Sequence, residues 1–175
     1  MRKVILYIAM SLDGYIADRD GRVDWLNGDG SGESIDTYSA FIQEIDTAVM
    51  GWKTYHQIVT ELSPDEWPYK GLTSYVITHR TLPSTDEIKF TGEDPRELAE
   101  RLRKGRGKGI WICGGGSVVQ PLVGSGLIDE YHIAVIPAIL GSGVRLFGET
   151  AEEVKLKLLR TQEYNGITEL TYTRR

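Results

Sequence analysis

The chain has 175 residues, of which 41% are hydrophobic, and this size predicts a single domain over residues 1–175. The formal net charge of -5 and the lack of a dense Lys/Arg block argue against nucleic acid as a partner. One cysteine excludes an intramolecular disulfide, and the three histidines lack metal-ligand spacing, so we expect no metal site. The apolar start is short and has no leader cleavage site, so we expect a cytoplasmic protein with no membrane partner.

The first half of the chain alternates predicted strands and helices. The apolar run Val4–Met10 is typical of a central strand that is covered on both faces. A loop rich in Gly and Asp follows over residues 13–32, and such a long loop is rarely idle in a compact domain. The apolar spacing then predicts a helix over Ser34–Ile45, a strand over Thr47–Met50 and a helix over Trp52–Leu62.

The alternation continues and then gives way to strands. Asp94 and Pro95 predict a helix start, since Asp is a favoured N-cap and Pro a favoured first helical residue. The predicted elements are strands over Ser74–Thr78, Glu87–Phe90 and Gly109–Cys113, helices over Pro95–Arg103 and Ser117–Val123, and strands over Ile128–Ile136, Lys155–Glu163 and Ile167–Arg174. Asn165-Gly166 between the last two predicts a hairpin. We therefore predict an α/β three-layer sandwich: a mixed, mostly parallel sheet with helices on both faces and a C-terminal antiparallel hairpin.

Three predicted strand ends carry features that suit an anion. Gly114, Gly115 and Gly116 follow one strand and open a helix, which removes every Cβ and leaves the first helical N–H groups free. Gly51–Thr54 repeats this pattern with Lys53 and Thr54 in the first turn, and Thr78–Arg80 ends a third strand with a hydroxyl and cationic groups. An ordinary turn, a cap and solvated charges are the simpler readings of each segment alone. Together, at the carboxyl edge of an α/β sheet, they indicate a dinucleotide site.

Five segments in order along nearly the whole chain resemble signatures of the dihydrofolate reductase-like superfamily: SLDGYIA at residues 11–17, MGWKTY at 50–55, ICGGG at 112–116, GLIDE at 126–130 and LGSGVRLF at 140–147. Within it, the chain most resembles the branch that contains the reductase half of the riboflavin-biosynthesis deaminase-reductase. The resemblance implies an NADPH-dependent reductase, with NADH as a possible alternative cofactor, and a homodimer.

The resemblance also implies residue roles. It places Ala9 and Ile16 at the nicotinamide, Gly51, Trp52, Lys53 and Thr54 at the adenosine phosphates, Thr78, His79 and Arg80 near the adenine and 2′-phosphate, and Gly114, Gly115, Gly116, Ser117 and Val118 at the pyrophosphate. The family carries a cis Gly-Gly peptide in that last loop, which corresponds to Gly114-Gly115. It commonly has arginine at the position of Trp52, so the 2′-phosphate would be left to Lys53, His79 and Arg80.

The catalytic and substrate-binding candidates each have a structural alternative. Asp36 lies near the position of the carboxylate that binds the pterin in folate reductases, one residue out of a gapless count back from Gly51, and is equally well read as a solvated helix residue. Asp13 could face the substrate or form a turn, and Trp25 could line the substrate mouth or act as a hydrophobic plug. Cys113 is expected beside the nicotinamide as an apolar wall.

We therefore expect hydride transfer from NADPH to a pteridine- or pyrimidine-like small-molecule substrate. Such chemistry asks a protein to position the two reactants and exclude water, and it needs no side-chain nucleophile. The alternative is a noncatalytic nucleotide-binding or structural protein that retains the fold.

Overall fold

The computed structural model describes residues 1–175, and its main feature is one eight-stranded sheet. Its strands are β1 (Val4–Ser11), β3 (Ile45–Gly51), β4 (Thr73–Ile77), β5 (Ile88–Thr91), β6 (Gly109–Gly114), β7 (Glu130–Ile136), β9 (Leu156–Tyr164) and β10 (Ile167–Arg174). A short antiparallel pair joins β2 (Tyr15–Ala17) to β8 (Val144–Arg145). The helices are α1 (Tyr38–Ile42), α2 (Trp52–Gln57), α3 (Pro95–Lys104) and α4 (Gly116–Gly124), with a π-helical turn over Ile58–Leu62.

The strand order in the sheet is β5-β4-β3-β6-β1-β7-β10-β9. The first six strands of this order are parallel to one another, and the β9-β10 hairpin pairs antiparallel with β7. The predicted mixed, mostly parallel sheet with a C-terminal hairpin is therefore confirmed. All parallel strands end at one edge of the sheet, which gathers their carboxyl ends in one place.

Two hydrophobic clusters cover the two faces of the sheet, as the near-continuous apolar strands predict. Val4 and Leu6 of β1 pack with the buried side chains of α3 and α4, whereas Ile5 packs on the opposite face, against α1 and α2. Neighbouring residues of a strand point to opposite faces, so one strand supplies both clusters. The helices thus lie on both faces, which completes the predicted three-layer sandwich. No helix is long and apolar enough to cross a lipid bilayer.

Four predicted elements differ from the structure by two residues or more at one end. The strand predicted over Thr47–Met50 begins at Ile45. The helix predicted over Ser34–Ile45 is only Tyr38–Ile42, because the Asp36 carboxylate accepts the backbone N–H of Ser39 at 3.0 Å, and β3 pairing begins at Ile45. The helix predicted to reach Leu62 changes to a π-helical turn after Gln57. The strand predicted from Ile128 begins at Glu130.

The predicted loop over residues 13–32 contains β2 and is held to distant parts of the fold. Gln57 Nε2 of α2 donates to the carbonyl of Gly21 at 2.9 Å. The hairpin turn at Asn165 accepts the backbone N–H groups of Asp29 and Gly30 through its carbonyl and side-chain oxygens. One anchor lies on α2, which follows β3, and the other lies in the turn between β9 and β10. The loop therefore passes over the carboxyl ends of the strands between them.

Candidate active site

An open cleft of about 1450 Å³ runs along the carboxyl ends of β4, β3, β6 and β1. Four adjacent strands span three inter-strand spacings, about 14 Å in all. The loop that contains β2 forms part of the wall through Ile16, Gly21 and Val23. Ligands of open α/β sheets bind at such an edge, near a reversal of strand order. Here β6 returns to lie between β1 and β3.

The middle of the cleft is bare backbone between β6 and α4. The Gly114-Gly115 peptide is cis, as the sequence resemblance implied, and Gly114 has a φ of +121°, which side chains rarely adopt. A Cβ built on Gly115 would lie 3.6 Å from Thr54 Oγ1, so a side chain there would narrow the gap between these two segments. No side chain caps the start of α4, which leaves its first N–H groups without a side-chain acceptor.

One end of the cleft is cationic and aromatic. Lys53, His79 and Arg80 are exposed there, at the start of α2 and after β4. The Arg80 guanidinium lies 4.7 Å from the centre of the Trp52 ring, a cation–π arrangement, and the Arg80 backbone N–H donates to Thr78 Oγ1 at 3.1 Å. The Trp52 ring of α2 therefore contacts an arginine that comes from the segment after β4.

The cleft brings together all residues for which a cofactor-binding role was expected: Ala9, Ile16, Gly51, Trp52, Lys53, Thr54, Thr78, His79, Arg80, Gly114, Gly115, Gly116, Ser117 and Val118. Cys113 also lines it. Burial raises the pKa of the Cys113 thiol well above its ordinary value, so this side chain is a neutral wall at neutral pH. The structure shows that these residues lie together in one cleft. Their roles in binding a cofactor stay predictions.

A second cavity of about 470 Å³ adjoins the cleft and shares Ile8, Ala9 and Leu26 with it. It lies between α1 and the sheet face formed by β1, β7, β10 and β9. Phe41 of α1 stacks on Tyr7 of β1 with ring centres 4.2 Å apart, which fixes the helix against this face. The smaller cavity is therefore a defined chamber beside the end of the cleft that Ala9 lines.

A hydrogen-bonded polar cluster lines this chamber. Thr37 Oγ1 donates to Glu169 Oε1 at 2.7 Å, the Tyr164 hydroxyl donates to the same oxygen at 2.6 Å, and the Tyr7 hydroxyl lies 3.2 Å from Thr37 Oγ1. Burial and the bond to Glu169 raise the pKa of Tyr164 to about 12, and burial raises the pKa of Tyr7. Both phenols are therefore neutral over the physiological range. Sequence reasoning missed this cluster because its members lie far apart in the chain.

The structure does not bring Asp36, Asp13 or Trp25 into the lining of either cavity. Asp36 is exposed, and its bonds to the Ser39 backbone and hydroxyl, at 3.0 and 2.5 Å, lower its pKa. The Asp13 carboxylate accepts the Ser11 hydroxyl and two backbone N–H groups of the 140–141 turn, which also lowers its pKa. Trp25 Nε1 donates to a backbone carbonyl of its own loop at 3.1 Å. The substrate-binding and catalytic roles expected for these three residues stay predictions.

The family model described as the RibD C-terminal domain matches residues 2–168. The chain belongs to this family. Within the curated proteins, it is 41% identical over 174 residues to the uncharacterized protein YwjB of Bacillus subtilis, covering 99% of this chain and 98% of that protein. It is 29% identical over 181 residues to the uncharacterized protein YyaP of the same organism, covering 98% and 94%.

Solved structures agree with this assignment. A putative riboflavin biosynthesis protein from Shewanella sp. PV-4 superposes with a TM-score of 0.82 and 30% identity, covering 99% of both chains. A diaminohydroxyphosphoribosylaminopyrimidine deaminase/5-amino-6-(5-phosphoribosylamino)uracil reductase from Thermotoga maritima gives a TM-score of 0.70 and 13% identity, covering 99% of this chain and 57% of that one. Dihydrofolate reductase from Enterococcus faecalis, complexed with NADP(H) and RAB-propyl, gives a TM-score of 0.63 and 18% identity, covering 99% of this chain and 96% of that one. The fold is therefore dihydrofolate reductase-like, and the predicted superfamily is confirmed.

Proposed function

We propose that this protein is an NADPH-dependent reductase that transfers a hydride to a pteridine- or pyrimidine-like small molecule. The observation that carries the proposal is the single cleft that gathers every residue expected to hold the cofactor. Membership in the RibD C-terminal domain family and the likeness to a dihydrofolate reductase complexed with NADP(H) support it.

The residues of the cleft fit a dinucleotide. Bare backbone at Gly114 and Gly115 and the uncapped start of α4 suit a pyrophosphate, since free N–H groups and the helix dipole favour negative charge. The exposed Lys53, His79 and Arg80 suit the additional phosphate that distinguishes NADPH from NADH. We therefore propose NADPH as the preferred cofactor.

In such a reaction the chain has to bring the two reactants together and to keep water away from them. Reduction of a C=N or C=O bond places one hydride on carbon and one proton on nitrogen or oxygen, while NADPH is oxidised to NADP⁺. Ala9 lies between the cleft and the chamber, so a ring bound in the chamber would face the nicotinamide end of the cleft. The small side chain at this position allows close approach, and the anchored loop over the strand ends limits access of water.

Cofactor titration tests the proposal. Intrinsic tryptophan fluorescence is followed during addition of NADPH and of NADH, since Trp52 lines the cleft. We expect saturable binding with preference for NADPH, followed by loss of NADPH absorbance when dihydrofolate or the riboflavin-pathway aminopyrimidine is added. Absence of binding to both nicotinamides would refute the proposal. Saturation without turnover on any pteridine or pyrimidine would favour the noncatalytic alternative.

We also propose that two copies associate as a homodimer. β9 is the last strand of the sheet, so its outer backbone groups are open to pairing, and its Leu158 and Leu159 side chains are 50% and 51% exposed. Light scattering coupled to gel filtration is expected to give about twice the 19.6 kDa chain mass. A mass of one chain at all concentrations would contradict the dimer.

A further inference from the structure

Two carboxylates that line the chamber beside the cofactor cleft have oxygens that no protein group occupies: Glu169 on the sheet, and the exposed Glu44 between α1 and β3. Glu169 Oε1 accepts both hydrogen bonds to this side chain, from Thr37 and Tyr164, and Oε2 has no protein donor. The other carboxylate on this sheet face, Glu130, is bound by Lys3 at 2.5 Å and by His132 at 3.0 Å. Glu169 is therefore the carboxylate of the sheet floor with free capacity to accept a ligand N–H group.

The register of the sheet places Glu169 in line with the nicotinamide end of the cleft. Ala9 of β1 pairs with Ala134 of β7, and Ala134 pairs with Glu169 of β10. Directly paired residues point to the same face, so these three side chains share one row across the chamber floor. Two strand spacings separate Ala9 from Glu169, about 10 Å between backbones.

The small side chains of this row, with α1 above them, leave a space that suits a flat ring. The two alanines leave only methyl groups on the floor between the cleft and Glu169, whereas the next row carries the larger Tyr7 and His132, also paired with each other. Phe41 and Ala40 of α1 lie above this face and close the chamber from the other side. A planar heterocycle on the alanine floor would present one edge to the cofactor and the opposite edge to Glu169.

We infer that Glu169 is the substrate-anchoring carboxylate of this protein and recognises a heterocycle edge with adjacent N–H donors, such as an amidine or 2-amino-oxo edge. This inference rests on the proposed reductase function and names its substrate class. Because Oε1 already accepts two hydrogen bonds, Oε2 is the oxygen that receives the ligand, and its two lone pairs can accept two neighbouring N–H groups. Thr37 and Tyr164 are positioning residues, because they hold Oε1 and leave Oε2 without a protein donor.

The location also explains why Asp36 is not needed in this role. Asp36 is held at the start of α1 by Ser39, so α1 presents its neighbour Thr37 to the chamber. The hydroxyl of Thr37 then meets a carboxylate that comes from β10. The acid that would bind the ring is thus supplied by the C-terminal hairpin.

Binding of two pteridine probes tests the inference. The probe 2,4-diaminopteridine carries the donor edge when its ring N1 is protonated, a form that contact with a carboxylate favours, and lumazine, a pteridine dione, has carbonyls in place of the amino groups. Each is titrated against the NADP⁺-saturated full chain with calorimetric readout. We expect Glu169→Gln to weaken 2,4-diaminopteridine about 10- to 100-fold, the size of a lost charge-assisted pair, and to leave lumazine within about threefold.

The control variant is Glu163→Gln, which removes an exposed carboxylate from the same hairpin but outside both cavities. Tyr164→Phe removes one bond to Oε1 and is expected to weaken 2,4-diaminopteridine by a smaller factor, which keeps the inference testable if Glu169→Gln fails to fold. Unchanged affinity in a folded Glu169→Gln variant, or equal loss for both probes, would overturn the assignment. No binding of either probe by a chain that binds NADPH would overturn it too, and would leave the cofactor proposal standing.

The opposite pattern separates the two proposals. If 2,4-diaminopteridine binds in a Glu169-dependent way while NADPH and NADH do not bind, the carboxylate assignment stands and the reductase proposal fails.

Discussion

Substitution of Arg80 by alanine gives the most direct test of cofactor selection. Arg80 is an exposed cation at the end of the cleft, held over the Trp52 ring at 4.7 Å and supported through its backbone by Thr78. If this end binds the phosphate that NADH lacks, removal of the guanidinium weakens NADPH much more than NADH. If Arg80 serves only to hold Trp52, both cofactors weaken equally.

The size of the effect follows from the charges. One unit pair in contact at an exposed site contributes about 1 kcal/mol in water, and the phosphate carries between one and two negative charges. Added salt screens such a pair, so we expect a 5- to 30-fold rise, roughly, in the Kd for NADPH at low ionic strength. Loss of the cation–π contact adds a smaller term that both cofactors share.

Fluorescence titrations of the wild type and the Arg80→Ala variant with NADPH and NADH, at low and high salt, measure this selectivity. Arg106→Ala is the matched control, because Arg106 is also exposed and lies before the amino end of β6, at the opposite edge of the sheet. We expect Arg106→Ala to match the wild type for both cofactors. An equal loss for NADPH and NADH, or a selectivity that does not fall with salt, would refute the assignment of this end to the phosphate.

Three further predictions address stability and reactivity. The Arg96 side chain and backbone hold the pKa of Asp94 at about 2, below its unfolded value. The stability that Asp94 contributes is therefore present above about pH 4 and is lost as pH falls toward 2. The urea midpoint of Asp94→Asn should fall less steeply with pH over this range than that of the wild type, and an equal fall would contradict this. Leu122, which is 0% exposed, should cost about 2–5 kcal/mol on truncation to alanine in urea unfolding, against about 0.5 kcal/mol or less for Leu12, which is 63% exposed; equal costs would contradict the packing described. Cys113 lines the open cleft, but burial raises the pKa of its thiol, so it should react with iodoacetamide more slowly in the native protein at mildly alkaline pH than once unfolded, as mass spectrometry would show; equal or faster native alkylation would contradict the raised pKa.

The cleft at the carboxyl ends of the strands was predictable because the sequence signals for it are local. Each segment, such as Gly114–Val118 or Gly51–Thr54, is a strand end followed directly by a helix start, and the glycine or hydroxyl that matters lies within a few residues. Once the strands are known to be parallel, their carboxyl ends must share one edge. The prediction then needs no knowledge of strand order. The sequence pattern favours a single cleft, and all these residues line one cleft in the structure.

The chamber was not predictable in this way, since its geometry is set by register between distant strands. Ala9, Ala134 and Glu169 form one row only because β7 lies between β1 and β10 with that particular pairing. A shift of one residue in β10 would turn Glu169 to the other face. The alternating polar side chains of β10 were a signal that one of its faces meets something polar, but they could not indicate which strand or which helix.

The start of the short helix α1 also could not be predicted from apolar spacing, and one residue is the reason. Apolar spacing over Ser34–Ile45 predicted a longer helix, and the resemblance to folate reductases drew attention to Asp36 on it. In the structure the carboxylate satisfies the Ser39 backbone, and helix α1 covers only Tyr38–Ile42. The hydrogen bond from Ser39 to Asp36 sets the start of the helix, although the apolar periodicity extends further. Such a side-chain acceptor next to free N–H groups is available before any tertiary contact forms.

The two halves of the proposed active site therefore have different structural origins. Backbone at strand ends builds the cofactor side, and it changes little when side chains elsewhere are replaced. Side chains on β7 and β10, together with α1, build the substrate side, and a single substitution at Ala134 or Glu169 would alter the floor or the anchor without disturbing the glycine loop. Proteins that share this fold and its nucleotide cleft can accordingly differ in the ring they accept, so the substrate of this chain is to be sought through the hairpin carboxylate and not through the glycines.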